Sequence, residues 1–227
     1  MYLLLIPLLA ILALAYLPQT YVQGVIKRYS KERPELGATG AEFARRLLDG
    51  QGLGHVMVEA TKSGDHYDPD AKVVRLAPER YSGRSLAAVV IAAHEVGHAI
   101  QDAKGYRPLS ERTKMAKRSA GVDKIAGLIM LASPVLLLIS RNPFVMITDY
   151  LAGAALMLIT IVMHVLTLPV EFDASFGRAM PLLKAEGGLP KAEWPAARKI
   201  LRAAAFTYVA AAAMSLLNVS RWFRLFR

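Results

Sequence analysis

Four apolar runs partition the chain and restrict what it can become. They are LLLIPLLAILALAYL (3–17), IAGLIMLASPVLLLI (125–139), FVMITDYLAGAALMLITIVMHVLTL (144–168) and AAAFTYVAAAAMSLLNV (203–219). Each approaches or exceeds the roughly 20 residues that cross a hydrocarbon core. Over 227 residues the chain is 54% hydrophobic yet 20% charged, so its apolar residues are concentrated rather than spread over one soluble core. The expected fold is a mostly α membrane protein of about four transmembrane helices with a small peripheral α+β part. The spans are expected at 1–22, 125–140, 144–168 and 203–220.

Charge suggests an orientation. Met1-Tyr2 offers no basic residue before the first run, whereas Lys27, Arg28, Lys31 and Arg33 follow it. That order is the one of a retained anchor, not of a cleaved signal peptide. Arg112, Lys114, Lys117, Arg118 and Lys124, then Arg178, Lys184, Lys191, Arg198, Lys199 and Arg202, fall on the same side, which the positive-inside rule assigns to the cytoplasm. Against it run Arg141, alone in the turn between the second and third runs, and Arg221, Arg224 and Arg227 after the fourth. The net charge of +10 sits beside apolar runs and comes with no nucleic-acid motif, so anionic lipid headgroups are the expected partner and nucleic acid is not. Without cysteine there is no disulfide and no thiolate ligand. Any metal must be held by His, Asp or Glu.

The main polar region is expected at 23–121. Thr39-Gly40-Ala41-Glu42 is a capping box that starts a helix with Phe43, Ala44, Leu47 and Leu48 on one face. HVMVEAT (55–61) and KVVRLA (72–77), joined by a turn-rich SGDHYDPDA, predict an antiparallel β-hairpin over 55–77. A helix over 82–104 follows, capped by Ser82 or Ser85 and stopped by Gly105. Glu95, His98, Gln101 and Asp102 make it a poor candidate for lipid. It is expected to be buried beneath the hairpin.

That helix contains AAHEVGHAIQ (92–101). His94 and His98, at i and i+4, project from one face and can reach one metal ion, with Glu95 placed to take a proton from an activated water. Gly97 keeps the surface low there. A catalytic zinc site needs three protein ligands and one open position. In the expected third-ligand helix and connector, 169–202, the candidate donor is Glu171 in LTLPVEFDAS, which taken alone reads more readily as a solvated charge at a helix end. Asp173 points about 200° away from Glu171 around a helix and suits support better than ligation. Ser175 and Arg178 share the Glu171 face and are placed to orient its carboxylate. His66 and Tyr67, in GDHYDP, are candidates for binding substrate or an oxyanion, or simply parts of a turn held by Asp65 and Asp68.

AAHEVGHAIQ, together with GDHYDP before it and Tyr106-Arg107-Pro108-Leu109, TLPVEFDAS and AAAFTYVAAA after it, resembles the YugP-type neutral zinc metallopeptidases of bacterial membranes over nearly the whole chain. The resemblance implies one catalytic zinc ion with His94 and His98 as ligands and Glu95 as base. Similarity to membrane metallopeptidases whose third ligand is a glutamate on a later helix implies Glu171. Those proteins commonly carry an aspartate four residues further on, where this chain has Ser175. The implied activity is endopeptidase cleavage of membrane or membrane-proximal proteins at the cytoplasmic face of the bacterial inner membrane, in a multi-pass protein. The rival reading is a scaffold that keeps the fold without turnover.

Overall fold

The computed structural model describes residues 2–117, 142–185 and 188–224, with Val135 and Ile139. In chain order it contains helix α1 (Tyr2–Tyr29), a 3-10 turn (Pro34–Leu36), helix α2 (Gly40–Gly50) and strands β1 (Met57–Ala60), β2 (His66–Asp68) and β3 (Val73–Leu76). The short α3 (Pro78–Tyr81) and the long α4 (Leu86–Ala103) follow. A helix over 107–117, here α5, comes next. Beyond it lie α6 (Pro143–Phe172), a π-helical stretch (Asp173–Ala179), α7 (Met180–Lys184), a 3-10 turn (Lys191–Glu193) and α8 (Trp194–Arg224).

Everything is arranged around α4, whose residues 86 to 101 are all buried. One side of it packs Leu86, Val89, Val90 and Ile91 against Phe43, Leu183, Ile200 and Leu201. The other packs Ala92, Val96, Ala99 and Ile100 against Leu48, Val56, Val74 and Leu76. A helix with a core on both sides must be apolar nearly all round, which explains its sequence. Of the two serines expected to cap it, Ser85 does so, accepting a hydrogen bond from the Ala88 amide. The left-handed Gly105 (φ 63°) follows its end. The capping box on α2 forms as expected, Thr39 and Glu42 each satisfying the other's backbone amide.

The expected antiparallel pairing of 55–61 with 72–77 is not what forms. β1 pairs with β3 in parallel, and β2, from within the stretch read as a turn, pairs with β3 antiparallel, giving the order β1-β3-β2. The twelve residues between β1 and β3 are enough to make a crossing, and Asp68 and Asp65 hold it: Asp68 accepts from the Asp70 and Ala71 amides, and Asp65 accepts from Ala77 N–H at 2.8 Å and from the Arg80 guanidinium. With Asp65 anchored to Ala77 and Arg80 on one side and a turn closed by Asp68 on the other, His66 to Asp68 pair with β3 as a strand.

The four-span membrane architecture is likewise corrected. Among the described residues no helix is long and apolar enough to cross a membrane. The last two apolar runs form parts of longer helices: in α8, Ala203, Ala205 and Ala210 are fully buried and both α1 and α6 pack on that helix, whereas the α6 run leaves Leu151, Leu158, Val165 and Leu166 exposed. The second expected span, 125–140, lies outside the described residues except for Val135 and Ile139.

Gly97 has a different purpose from the one expected. A Cβ at this position would stand 2.6 Å from the Ala174 carbonyl oxygen, so its bare backbone lets the π-helical stretch rest directly on α4. Ala at 97 should destabilise the protein by about 1–3 kcal/mol through overpacking, read as a lower urea midpoint at unchanged slope. An unchanged midpoint would mean that the π stretch yields at no cost.

Candidate metal centre

Close approach of α4 and the end of α6 gathers His94, His98 and Glu171. All three are buried, and their donor atoms lie within 4.8 Å of one another. Glu171 Oε2 stands 3.2 Å from His94 Nε2 and 3.4 Å from His98 Nε2. Two donors each about 2.1 Å from a tetrahedral zinc ion are about 3.4 Å apart, so the spacing matches a metal-sized gap.

The surrounding hydrogen bonds fix which nitrogen faces that gap. Gln101 donates both amide protons, to the Val170 carbonyl and to Asp173 Oδ2, each at 2.8 Å. Its Oε1 therefore accepts from His98 Nδ1–H at 2.9 Å. Ser175 Oγ donates to the Leu201 carbonyl at 3.2 Å, leaving its lone pair to accept from His94 Nδ1–H at 3.0 Å. With both Nδ1 protons engaged, each Nε2 presents a lone pair toward a carboxylate oxygen. Three electron-rich atoms converging in a buried space repel one another unless a cation joins them. The donor set, two imidazoles and a carboxylate, is one that zinc accepts.

Glu171 is ionised despite its burial. Burial opposes its charge, but positive charge on His98 and His94 outweighs that and holds its carboxyl well below the usual range; when both Nε2 atoms are bare, a metal cation among the three would supply that positive charge instead. Its Oε1 has no hydrogen-bond partner among the described residues. Glu95, next to His94 on α4, is in the opposite condition: burial pushes it up to about 7, the range in which a carboxylate exchanges protons at neutral pH. Both carboxyls line one cavity of about 300 Å³ with His94, His98, His66 and Tyr67.

The supporting residues differ from their expected parts. Ser175 braces His94 instead of the Glu171 carboxylate. Arg178 donates to Asp173 at 3.1 Å, and Asp173 supports Gln101, so both act on His98 from behind. Gly177 makes this possible, since a Cβ there would stand 2.5 Å from Asp173 Oδ1. Tyr67 lines the cavity but donates its proton to Asp102 at 2.6 Å. His66 also lines it, with Nδ1 bonded to the Gly64 carbonyl at 2.9 Å.

Three residues at the site escaped sequence reasoning. Gln101 had a signal, being a polar residue three positions after His98 on a buried helix. Arg112, whose Nη1 is 3.4 Å from Glu171 Oε1, was hidden among many basic residues. Tyr208, hydrogen-bonded by Arg112, was hidden in an alanine-rich run.

The chain is 39% identical over 222 residues to the "Putative membrane protease YugP" of Bacillus subtilis (strain 168), an alignment that covers 96% of this chain and 94% of the relative. No solved structure gives a significant match. A family model described as "Putative neutral zinc metallopeptidase" matches residues 1–227, and with the His-His-Glu cluster in place the chain belongs to that family.

Proposed function

We propose that the protein is a zinc-dependent endopeptidase that hydrolyses peptide bonds in membrane or membrane-proximal proteins. The observation that carries this reading is the convergence of His94 Nε2, His98 Nε2 and Glu171 Oε2 beside the buried Glu95. His94, His98 and Glu171 would hold the ion. Zinc, when bound, supplies the charge that acidifies a water and polarises a carbonyl. Glu95 takes the proton from the attacking water and passes it to the leaving nitrogen as the C–N bond breaks. Ser175 and Gln101 keep the two imidazoles in one tautomer throughout.

Substrate enters as an extended segment. β2 is an edge of the sheet, and His66 and Tyr67 on it face the cavity, so backbone pairing along β2 brings a peptide past the metal site. The name of the Bacillus relative and the exposed Leu158, Val162, Val165 and Leu166 on α6 favour work at a membrane. The basic residues near the apolar runs suit anionic headgroups, which are concentrated on the cytoplasmic leaflet.

Purified protein is expected to carry stoichiometric zinc and to cleave casein. A chelator should abolish cleavage, and added zinc should restore it. Full cleavage by protein stripped of metal would overturn this reading.

A further inference from the structure

Arg112 and Tyr208 reach the metal centre from α5 and α8. Arg112 Nη1 forms an ion pair with Glu171 Oε1 at 3.4 Å, Nη2 donates to the Tyr208 hydroxyl oxygen, and the guanidinium carbon lies 5.0 Å from the centre of the Tyr208 ring. Both side chains line the cavity that holds Glu95 and the three candidate ligands. The Arg112 side chain is 25% exposed, so its charge is only partly screened.

Electrostatics decides what this arrangement favours. A fixed cation against a ligand carboxylate repels a divalent metal and draws charge from the ligand, so it does not serve metal affinity. It favours a further negative charge in the cavity. The Tyr208 oxygen already accepts from Arg112, which polarises the O–H; its proton has the Glu171 carboxylate as its neighbour in the cavity, and an oxyanion forming there competes with that carboxylate for it.

We propose that Tyr208, polarised by Arg112, donates a hydrogen bond to the oxyanion that forms on the scissile carbonyl. This rests on the endopeptidase reading above. In the step concerned, the water oxygen bonds to the carbonyl carbon, the C=O π pair moves onto the carbonyl oxygen, and the water proton goes to Glu95. On collapse the C–N bond breaks and Glu95 returns that proton to nitrogen. Tyr208 and Arg112 transfer no proton; Tyr208 contacts the reacting oxygen, and Arg112 is a positioning residue that acts through Tyr208.

The test uses the full-length protein, a fluorogenic peptide selected for cleavage by wild type, and a phosphinic analogue of that peptide that mimics the tetrahedral, charged species. Tyr208→Phe is expected to lower kcat about 10²–10³-fold, the effect of losing one oxyanion donor, with KM little changed. Its affinity for the phosphinic analogue should fall in proportion to kcat/KM, while zinc affinity, read by chelator competition, stays at the wild-type value. Arg112→Gln should bind zinc as tightly as wild type or more tightly, yet lose kcat and analogue affinity in parallel; Arg112→Lys, which keeps the charge, should recover part of both. Weakened zinc binding in Tyr208→Phe and Arg112→Gln would make the pair a support for Glu171 and overturn the proposal, as would unchanged kcat in Tyr208→Phe. Zinc-dependent cleavage by wild type that survives these substitutions sinks this proposal alone, whereas an inert wild type sinks the endopeptidase reading with it.

Discussion

Glu95→Gln should lower kcat about 10²–10⁴-fold, the range supplied by a positioned base, while zinc content and KM stay near wild type. Glutamine fills the volume of glutamate, so the packing of α4 survives. What it lacks is a carboxylate to receive the proton. The position accentuates the loss: Glu95 is 6% exposed, so bulk water is poorly placed to take over. Steady-state kinetics on metal-replete protein, with zinc measured on the same preparation, provide the check. Equal turnover in the variant would remove Glu95 from the chemistry. A scaffold that has abandoned catalysis predicts instead that wild type and variant are equally inert while both bind zinc.

How far the sequence discloses this site depends on how local each constraint is. His94, Glu95 and His98 lie on one helical turn, where spacing alone sets relative direction. Thr39 and Glu42 satisfy each other within four residues, so the start of α2 is similarly legible. The pairing of β1 with β3 was not, because alternation identifies a strand but not its partner or direction, and Asp65 and Asp68 settle the crossing through contacts with Ala77, Arg80, Asp70 and Ala71. The apolar runs misled for a related reason. Hydropathy counts residues irrespective of what they face, and in the last run Ala203, Ala205 and Ala210 face protein.

Arg112 and Tyr208 show the same limit at the site itself. They are 96 positions apart, on helices that no local pattern brings together. Ser175 is more instructive. It occupies the position where related metallopeptidases commonly have an aspartate, and it still reaches His94; a hydroxyl that gives its proton to the Leu201 carbonyl offers the same acceptor to the imidazole without adding a second buried charge beside Glu171.

Glu171→Gln should be the most damaging substitution for metal binding. A neutral amide offers only a weak carbonyl donor and removes the charge that balances the ion. If three donors share the roughly 10–16 kcal/mol of a tight zinc site, losing one costs about 3–5 kcal/mol, a weakening of about 10²–10⁴-fold by chelator competition. No nearby group replaces it: Asp173 is engaged by Gln101 and Arg178, and the remaining carboxyls lining the cavity are Glu95 and Asp65, the latter bonded to Ala77 and Arg80. The variant should still fold, because glutamine keeps the shape and its amide oxygen can still face the Arg112 guanidinium, which lies 3.4 Å from Glu171 Oε1. Wild-type zinc affinity in Glu171→Gln would therefore shift the third donor to Glu95, and a glutamate that ligates the metal is no longer free to act as the base.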